Sequence, residues 1–371
     1  MDFTKIKVIK KLGIGMYATV YLIEYDGKQY AMKKQKILER DRDRSSRSIT
    51  WREKFFYDYV KKMPLDTQKF FCKLYDFKIV NNCTHIQKRP KNIQKNKNLK
   101  AIMDEINKSN ICAIFIIEYK GDKPLYDFMS TKLSTKQIYS ILLQLCKIIL
   151  VLSDAMYSHN NVHLGNFMVL PTKDKTFEIM GHQIPHNGLQ ISAIDYGDMT
   201  LEASGAIYAE DEESYYFLEL SKVIFYVIMN VPKMEKDCRK QNKKYPSELN
   251  NNYIDNFLKT VFTKHEKIID GYAEKYLRLY PYLRNFYSIL KKSVQNLSID
   301  KLKKGLKHRN DMITFLLKIE NHFALEHPEE YMKINGWCST PEYTLPKKDV
   351  LEILECKTRD DYFKFLFEKL K

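Results

Sequence analysis

The reading of the fold turns on two short stretches, His159-Asn160-Asn161-Val162-His163-Leu164-Gly165-Asn166-Phe167-Met168 and Ile194-Asp195-Tyr196-Gly197. The first follows a long apolar segment, and the second ends a short one. An Asn and an Asp on neighbouring strand ends can chelate a hard cation through oxygen, which makes Asn166 and Asp195 candidate metal ligands. By themselves they read as a turn residue and a strand-ending cap. Their weight comes from the order of the elements around them.

Toward the N-terminus the chain reads as strands. Lys5 to Leu12 alternates imperfectly, a glycine turn follows, and Ala18 to Tyr25 leads through Asp26-Gly27 to Lys28 to Lys34. Two apolar runs joined by Asp-Gly signal a hairpin. The glycine turn, Gly13-Ile14-Gly15-Met16-Tyr17-Ala18-Thr19-Val20, would let backbone amides approach phosphates. Ala31 and Lys33 sit two apart on a strand and so share a face, a small residue beside a reaching ammonium. Ser48 to Met63 has helical character, with Pro64 just past its end. Glu53 on that helix is placed to pair with Lys33. Lys73 to Val80 and Ile111 to Glu118 read as two further strands.

Toward the C-terminus the pattern turns helical. Ile138, Leu142, Leu145, Ile149 and Leu152 form one apolar face, with Ser134 as N-cap. Tyr215 to Met229 is apolar nearly all round, which predicts a buried helix. The remainder reads as amphipathic helices without an internal repeat.

In this order, glycine loop, Ala-x-Lys strand, helix Glu, apolar strand ending in Glu118-Tyr119, long helix, His-x-x-x4-Asn and Asp-Tyr-Gly, the chain resembles the protein kinase superfamily over roughly residues 5 to 230. Ala18 replaces the third loop glycine, Tyr17 falls at the loop tip, and Ala31-Met32-Lys33 matches the Val-Ala-Ile-Lys element. The resemblance implies an α+β, bilobal fold. It divides the chain into a small antiparallel N-lobe at 1–118, a helical C-lobe at 119–310 and a helical C-terminal extension at 311–371. It implies ATP and magnesium as ligands, with Gly13 and Gly15 over the phosphates and Lys33, paired with Glu53, on the alpha and beta phosphates. Val20, Ala31 and Met168 would sandwich the adenine, Ile117 would be the gatekeeper, and the backbone of Glu118 and Lys120 would bond the base. Asn166 and Asp195 would hold magnesium. His159, Tyr196 and Tyr57 would belong to a packed column joining the lobes.

The departures matter as much. Asn161 stands where the family has its catalytic aspartate, and an amide cannot accept a proton at neutral pH. Asn160 replaces the arginine that receives an activation-loop phosphate. His163 takes the place of the usual lysine, as in small-molecule kinases. An insertion spans Pro171 to Gly188, no Ala-Pro-Glu element follows Asp195, and the acidic stretch Glu210 to Glu213 leads straight into the buried helix. The expected function is a diverged serine/threonine kinase with weakened catalysis acting on an unknown protein. The alternatives are a pseudokinase scaffold that regulates a partner and a small-molecule phosphotransferase.

Composition narrows the field. The 371 residues carry 62 Lys plus Arg against 46 Asp plus Glu, a formal charge of +16, with 44% hydrophobic and 29% charged residues, the profile of a globular chain. The densest basic run, Lys88 to Lys100, contains no aromatic residue for base stacking, so nucleic acid is a poor partner. Gln144, Lys147 and Asp154 interrupt the most apolar segment, Tyr139 to Tyr157, which argues against a membrane span. The start carries no apolar leader, and seven scattered cysteines without a C-x-x-C pair are expected to be reduced thiols in a cytoplasmic setting. Richness in Lys, Asn, Ile and Tyr fits an AT-rich source such as a large DNA virus, which would place the protein in host cytoplasm or virion.

Overall fold

An Asp-Gly pair sets where the N-terminal sheet turns. In the computed structural model, which describes residues 1–14, 18–45, 48–83, 104–201, 212–242, 251–293 and 309–370, Asp26 and Gly27 have φ of 51° and 69°. A two-residue hairpin that follows the strand twist needs this backbone. The turn joins β2 (Thr19–Tyr25) to β3 (Lys28–Ile37). With β1 (Lys7–Ile14), β4 (Leu74–Val80) and β5 (Ile111–Glu118) they form a five-stranded antiparallel sheet in the order β1-β2-β3-β5-β4. The strand expected at 28–34 runs on to Ile37, because Lys34 to Ile37 pair with Ile111 to Ile114 of the distant β5.

All seven residues from Ile111 to Ile117 are buried. Ala113, Phe115 and Ile117 face the main core, whereas Ile114 and Ile116 face a small outer cluster with Ile23, against which Phe3, Ile6 and Tyr30 pack. Helix α1 (Ile49–Val60) buries Glu53, Phe56, Tyr57 and Val60, the spacing of a single helical face. After α2 (Leu65–Gln68), the segment 70–72 bonds the remainder of the chain: Cys72 N donates to Ala193 O at 3.0 Å and Ala193 N to Phe70 O at 2.8 Å.

The rest is mostly helical. After α3 (Leu125–Met129) comes α4 (Thr135–Asp154), which opens with a capping box: Gln137 N donates to Ser134 Oγ at 3.3 Å and Ser134 N to Gln137 Oε1 at 3.0 Å. This helix is the one among the described residues long and apolar enough to cross a membrane, and 67% of its apolar window is buried inside the protein. Gln144 is satisfied there, donating to Leu189 O at 2.9 Å and accepting from Ile191 N at 2.7 Å.

Six short strands follow: β6 (Tyr157–Ser158), β7 (Phe167–Pro171), β8 (Thr176–Ile179), β9 (His182–Pro185), β10 (Leu189–Ala193) and β11 (Thr200–Leu201), paired β7 with β10, β8 with β9 and β6 with β11. The insertion after Pro171 is therefore largely a hairpin. The helices α5 (Glu212–Ile228), α6 (Val231–Lys240), α7 (Asn251–Leu277), α8 (Arg284–Ser293), α9 (Arg309–Glu326), α10 (Pro328–Asn335), α11 (Lys347–Glu355) and α12 (Arg359–Leu370) complete the described chain. α5 is buried as its composition predicts. The C-terminal helices share the core that α1 and α4 line: Ser221 Oγ meets Tyr362 OH at 3.1 Å, and the buried Lys318 donates to the carbonyls of Leu354 and Cys356 at 2.8 and 2.6 Å.

The cysteine expectation needs correction. Cys83 pairs with Cys112 and Cys238 with Cys338 in disulfides, while Cys72, Cys146 and Cys356 are free and buried. Both bonds join residues far apart in sequence that tertiary packing brings together, which motif spacing does not register. The basic run at 88–100 and residues Glu210 and Asp211 lie outside the described residues.

The packing of α4 sets a measurable stability. Leu142 is fully buried, so Leu142→Ala should lower the free energy of unfolding in urea by about 2–5 kcal/mol. Ser134→Ala at the helix cap should cost about 0.5–2 kcal/mol.

Candidate active site

Three elements meet at one ammonium group. Lys33 on β3 donates through Nζ to both carboxylate oxygens of Glu53 on α1, each at 2.9 Å, and to Asp195 Oδ1, just past β10, at 2.6 Å. The Lys33 side chain is 10% exposed and that of Glu53 0%, whereas Asp195 is 47% exposed. Burial opposes the charge on Lys33, but the carboxylates of Asp195 and Glu53 outweigh it and raise its pKa. The Lys33 ammonium beside Asp195 lowers that carboxyl below its ordinary value against some burial. For Glu53, burial dominates and raises the pKa despite Lys33.

Aromatic packing fixes the turn that carries Asp195. Tyr196 is fully buried, with its ring centroid 4.6 Å from Phe56, 4.9 Å from Tyr57 and 6.3 Å from His159. Its hydroxyl donates to Ala193 O at 2.7 Å and accepts from Cys72 N at 2.6 Å. The column expected from Tyr57, His159 and Tyr196 is thus assembled. Burial lowers the pKa of His159. Gly197 passes close under α1: a Cβ there would lie 3.3 Å from Ile49 Cγ2.

Lys33, Glu53, Asp195 and Gly197 border one cavity of about 720 Å³. Val20, Ala31, Ile117 and Met168 form its apolar wall, and Gly13, Glu118 and Lys120 stand at its edge. Lys33, Glu53, Asn161, Asn166 and Asp195 form its polar end. Every residue expected to hold nucleotide or metal, or to stand at the base position, therefore lines the same cavity, except Gly15, which with Tyr17 falls outside the described residues; His159, His163 and Tyr196 do not line it. Period-two geometry explains the wall, since Val20 lies opposite Lys33 and Ala31 opposite Ile117 across adjacent strands. At the edge, Glu118 N donates to Lys73 O at 2.8 Å, Glu118 O accepts from Cys72 Sγ at 3.3 Å, and Lys120 Nζ lies 3.0 Å from the Glu118 carboxylate.

The loop after β6 is held by its own amides. Asn160 takes φ of 60° and Asp195 φ of 61°, left-handed backbone that Asn and Asp tolerate better than most residues and that tends to gather at functional sites. Asn160 N donates to Glu219 Oε1 at 2.8 Å, and Asn160 Nδ2 to Asp198 O at 2.9 Å. Asn166 Nδ2 donates to Asn161 O at 2.9 Å, which leaves its Oδ1 without a hydrogen bond among the described residues. His163 Nδ1 accepts from Gly165 N at 3.1 Å, and the ring does not line the cavity. Among the described residues no group of three or more His, Cys, Asp or Glu side chains is arranged to hold a metal. The oxygen atoms of Asn166 and Asp195 nonetheless have the hard-donor chemistry that magnesium or calcium takes.

Among the cavity residues that escaped the sequence reading, one stands next to the loop asparagines. Asp198 borders the cavity and accepts from Asn161 Nδ2 at 3.0 Å through Oδ2. The available signal was an acid directly after Asp-Tyr-Gly in a chain whose residue 161 is not one. No family model and no curated protein matches this sequence.

Two measurements probe the cluster. Lys33→Met strands the buried Glu53 carboxylate and should cost about 3–5 kcal/mol of stability, most of it recovered in Lys33→Met/Glu53→Leu. Because the folded pKa of Asp195 is depressed, its contribution is fully present above the unfolded value of about 3.9 and disappears as pH falls through the folded one. The stability gap between wild type and Asp195→Asn should be constant from about pH 5 to 8 and close below about pH 4.

Proposed function

We propose that this chain is a diverged protein kinase of the serine/threonine type that binds ATP with magnesium in the cavity. It would transfer the γ-phosphoryl group to a protein hydroxyl at a reduced rate. The observation that carries this reading is the convergence of Lys33 Nζ on Glu53 and Asp195 at the polar end of an apolar-walled cavity that Asn166 also lines. The order of elements supports it too: a sheet with the Lys strand, one helix with the Glu, then a helical part whose loop and turn supply Asn166 and Asp195. That order is consistent with the bilobal layout of the protein kinase superfamily.

The residues divide the work by chemistry. Val20, Ala31, Ile117 and Met168 offer apolar faces to a planar base, and backbone groups near Glu118 and Lys120 lie at that end of the cavity. Lys33 holds the phosphates, its ammonium aimed by the buried Glu53. Entry of a triphosphate replaces the Lys33 to Asp195 contact with phosphate oxygens and releases the Asp195 carboxylate. Magnesium, held by Asn166 Oδ1 and Asp195, would supply charge neutralisation on the phosphate oxygens. Phosphoryl transfer leans chiefly on such positioning and electrostatics, whereas loss of a general base costs about 10²–10⁴ in rate.

Asn161 favours one second reading, a pseudokinase that binds nucleotide and regulates a partner through its surface. His163 does not border the cavity, so no contact there supports a small-molecule phosphotransferase.

Saturating ATP with magnesium, at about 100 times its Kd, should stabilise wild type by about 2.7 kcal/mol, and Lys33→Ala should lose most of that gain. Radiolabelled phosphate should appear on protein substrate with wild type and not with Lys33→Ala. Binding without transfer in wild type, with transfer gained by Asn161→Asp, would establish the pseudokinase. Absence of any nucleotide binding would end both readings.

A further inference from the structure

Resting on the phosphotransferase reading of the cavity, we infer that Asp198 is the proton acceptor for the hydroxyl under attack, in place of the acid that position 161 lacks. The cavity is bordered by five carboxylates, and among the described residues four have a cation: Glu53 and Asp195 share Lys33, Glu118 has Lys120 at 3.0 Å, and Asp122 has Lys10 at 2.7 Å. Asp198 has none. Among the described residues its carboxylate meets the amide of Asn161, Nδ2 to Oδ2 at 3.0 Å, and no other side chain. A carboxylate is an acceptor alone, so the amide presents its NH₂ to it and turns Oδ1, an acceptor, the other way.

Both asparagines of the loop are spent on this aspartate. Asn160 Nδ2 holds its carbonyl at 2.9 Å while Asn161 holds its carboxylate, and next to it Met199 N donates to Tyr196 O at 3.1 Å. Tyr196 is itself fixed at both Ala193 and Cys72. The acid therefore sits on constrained backbone, one hydrogen bond from the family's base position, within reach of a hydroxyl directly or through one water.

The step balances as follows. The substrate hydroxyl oxygen forms a bond to the γ-phosphorus of the nucleoside triphosphate and gives its proton to Asp198. The bond from γ-phosphorus to the β,γ-bridging oxygen breaks, and its electron pair leaves with the diphosphate. Asp198 then returns the proton to water. Asn161 Oδ1 orients the hydroxyl and takes no proton.

The test compares wild type, Asp198→Asn and the exchange variant Asn161→Asp/Asp198→Asn, which keeps the hydrogen bond between the two positions with donor and acceptor reversed. Each is read for melting temperature, for the ATP-dependent rise in that temperature and for phosphate transfer. Asp198→Asn should keep the ATP-dependent rise and lose about 10²–10⁴ in turnover. The exchange variant should regain turnover, because the carboxylate is restored within the same pair. Unchanged turnover in Asp198→Asn overturns the assignment. So does loss that the exchange variant fails to rescue, which makes the role of Asp198 structural. Wild type that binds ATP and transfers nothing also removes Asp198 from catalysis while leaving the nucleotide site standing. Wild type that binds no ATP overturns the reading beneath it.

Discussion

A single ammonium group shared by two carboxylates is the constraint on which the site depends. Lys33, Glu53 and Asp195 come from a strand, a helix and a turn that are remote in sequence. Taking such charges out of water costs several kcal/mol per ion unless their geometry is closely matched. The cluster therefore does more to specify how sheet, α1 and the turn after β10 meet than to stabilise them. Two carboxylates on one ammonium also leave a net negative charge, and Asp195 is the more exposed of the two.

The packing beneath the cluster is what makes that geometry affordable. Phe56, Tyr57 and Tyr196 form a buried aromatic group next to Glu53, and the Tyr196 hydroxyl bridges Ala193 and Cys72. Burial of three such rings supplies apolar stabilisation of several kcal/mol, and it sits directly under backbone that is otherwise unfavourable. Asp195 at φ of 61° and Asn160 at φ of 60° each hold left-handed conformations, which persist only where surrounding contacts over-determine them. Here those contacts are the Lys33 bond on one side and the Glu219 and Asp198 bonds on the other.

The parts legible in the sequence are those governed by local rules. Asp26-Gly27 named its turn, Ser134 its cap, and the spacing of Ala31 and Lys33 their common face. The convergence of Lys33, Glu53, Asn166 and Asp195 was legible through the order of elements, because each lies at a fixed place within one. What local rules do not reach is what a distant segment decides. β3 is longer than its own pattern because β5 pairs with its end, and Cys83 meets Cys112 because the segment after β4 stays beside β5. Asp198 was missed for a related reason: no periodicity marks a residue whose importance arises from an amide thirty-seven positions away.

On the proposed reading, that amide bears on what an asparagine at position 161 means. If the loss of an acid there had been followed by drift, the polar end of the cavity would retain fewer of its other parts. Instead the ammonium, its buried partner and both oxygen ligands stand together, and the two loop amides converge on one aspartate that no cation neutralises among the described residues. Phosphoryl transfer asks most of positioning and charge and least of proton removal. On that reading a site that keeps the first two and relocates the third by one hydrogen bond would have changed the least demanding of the three, with the cluster around Lys33 unaltered.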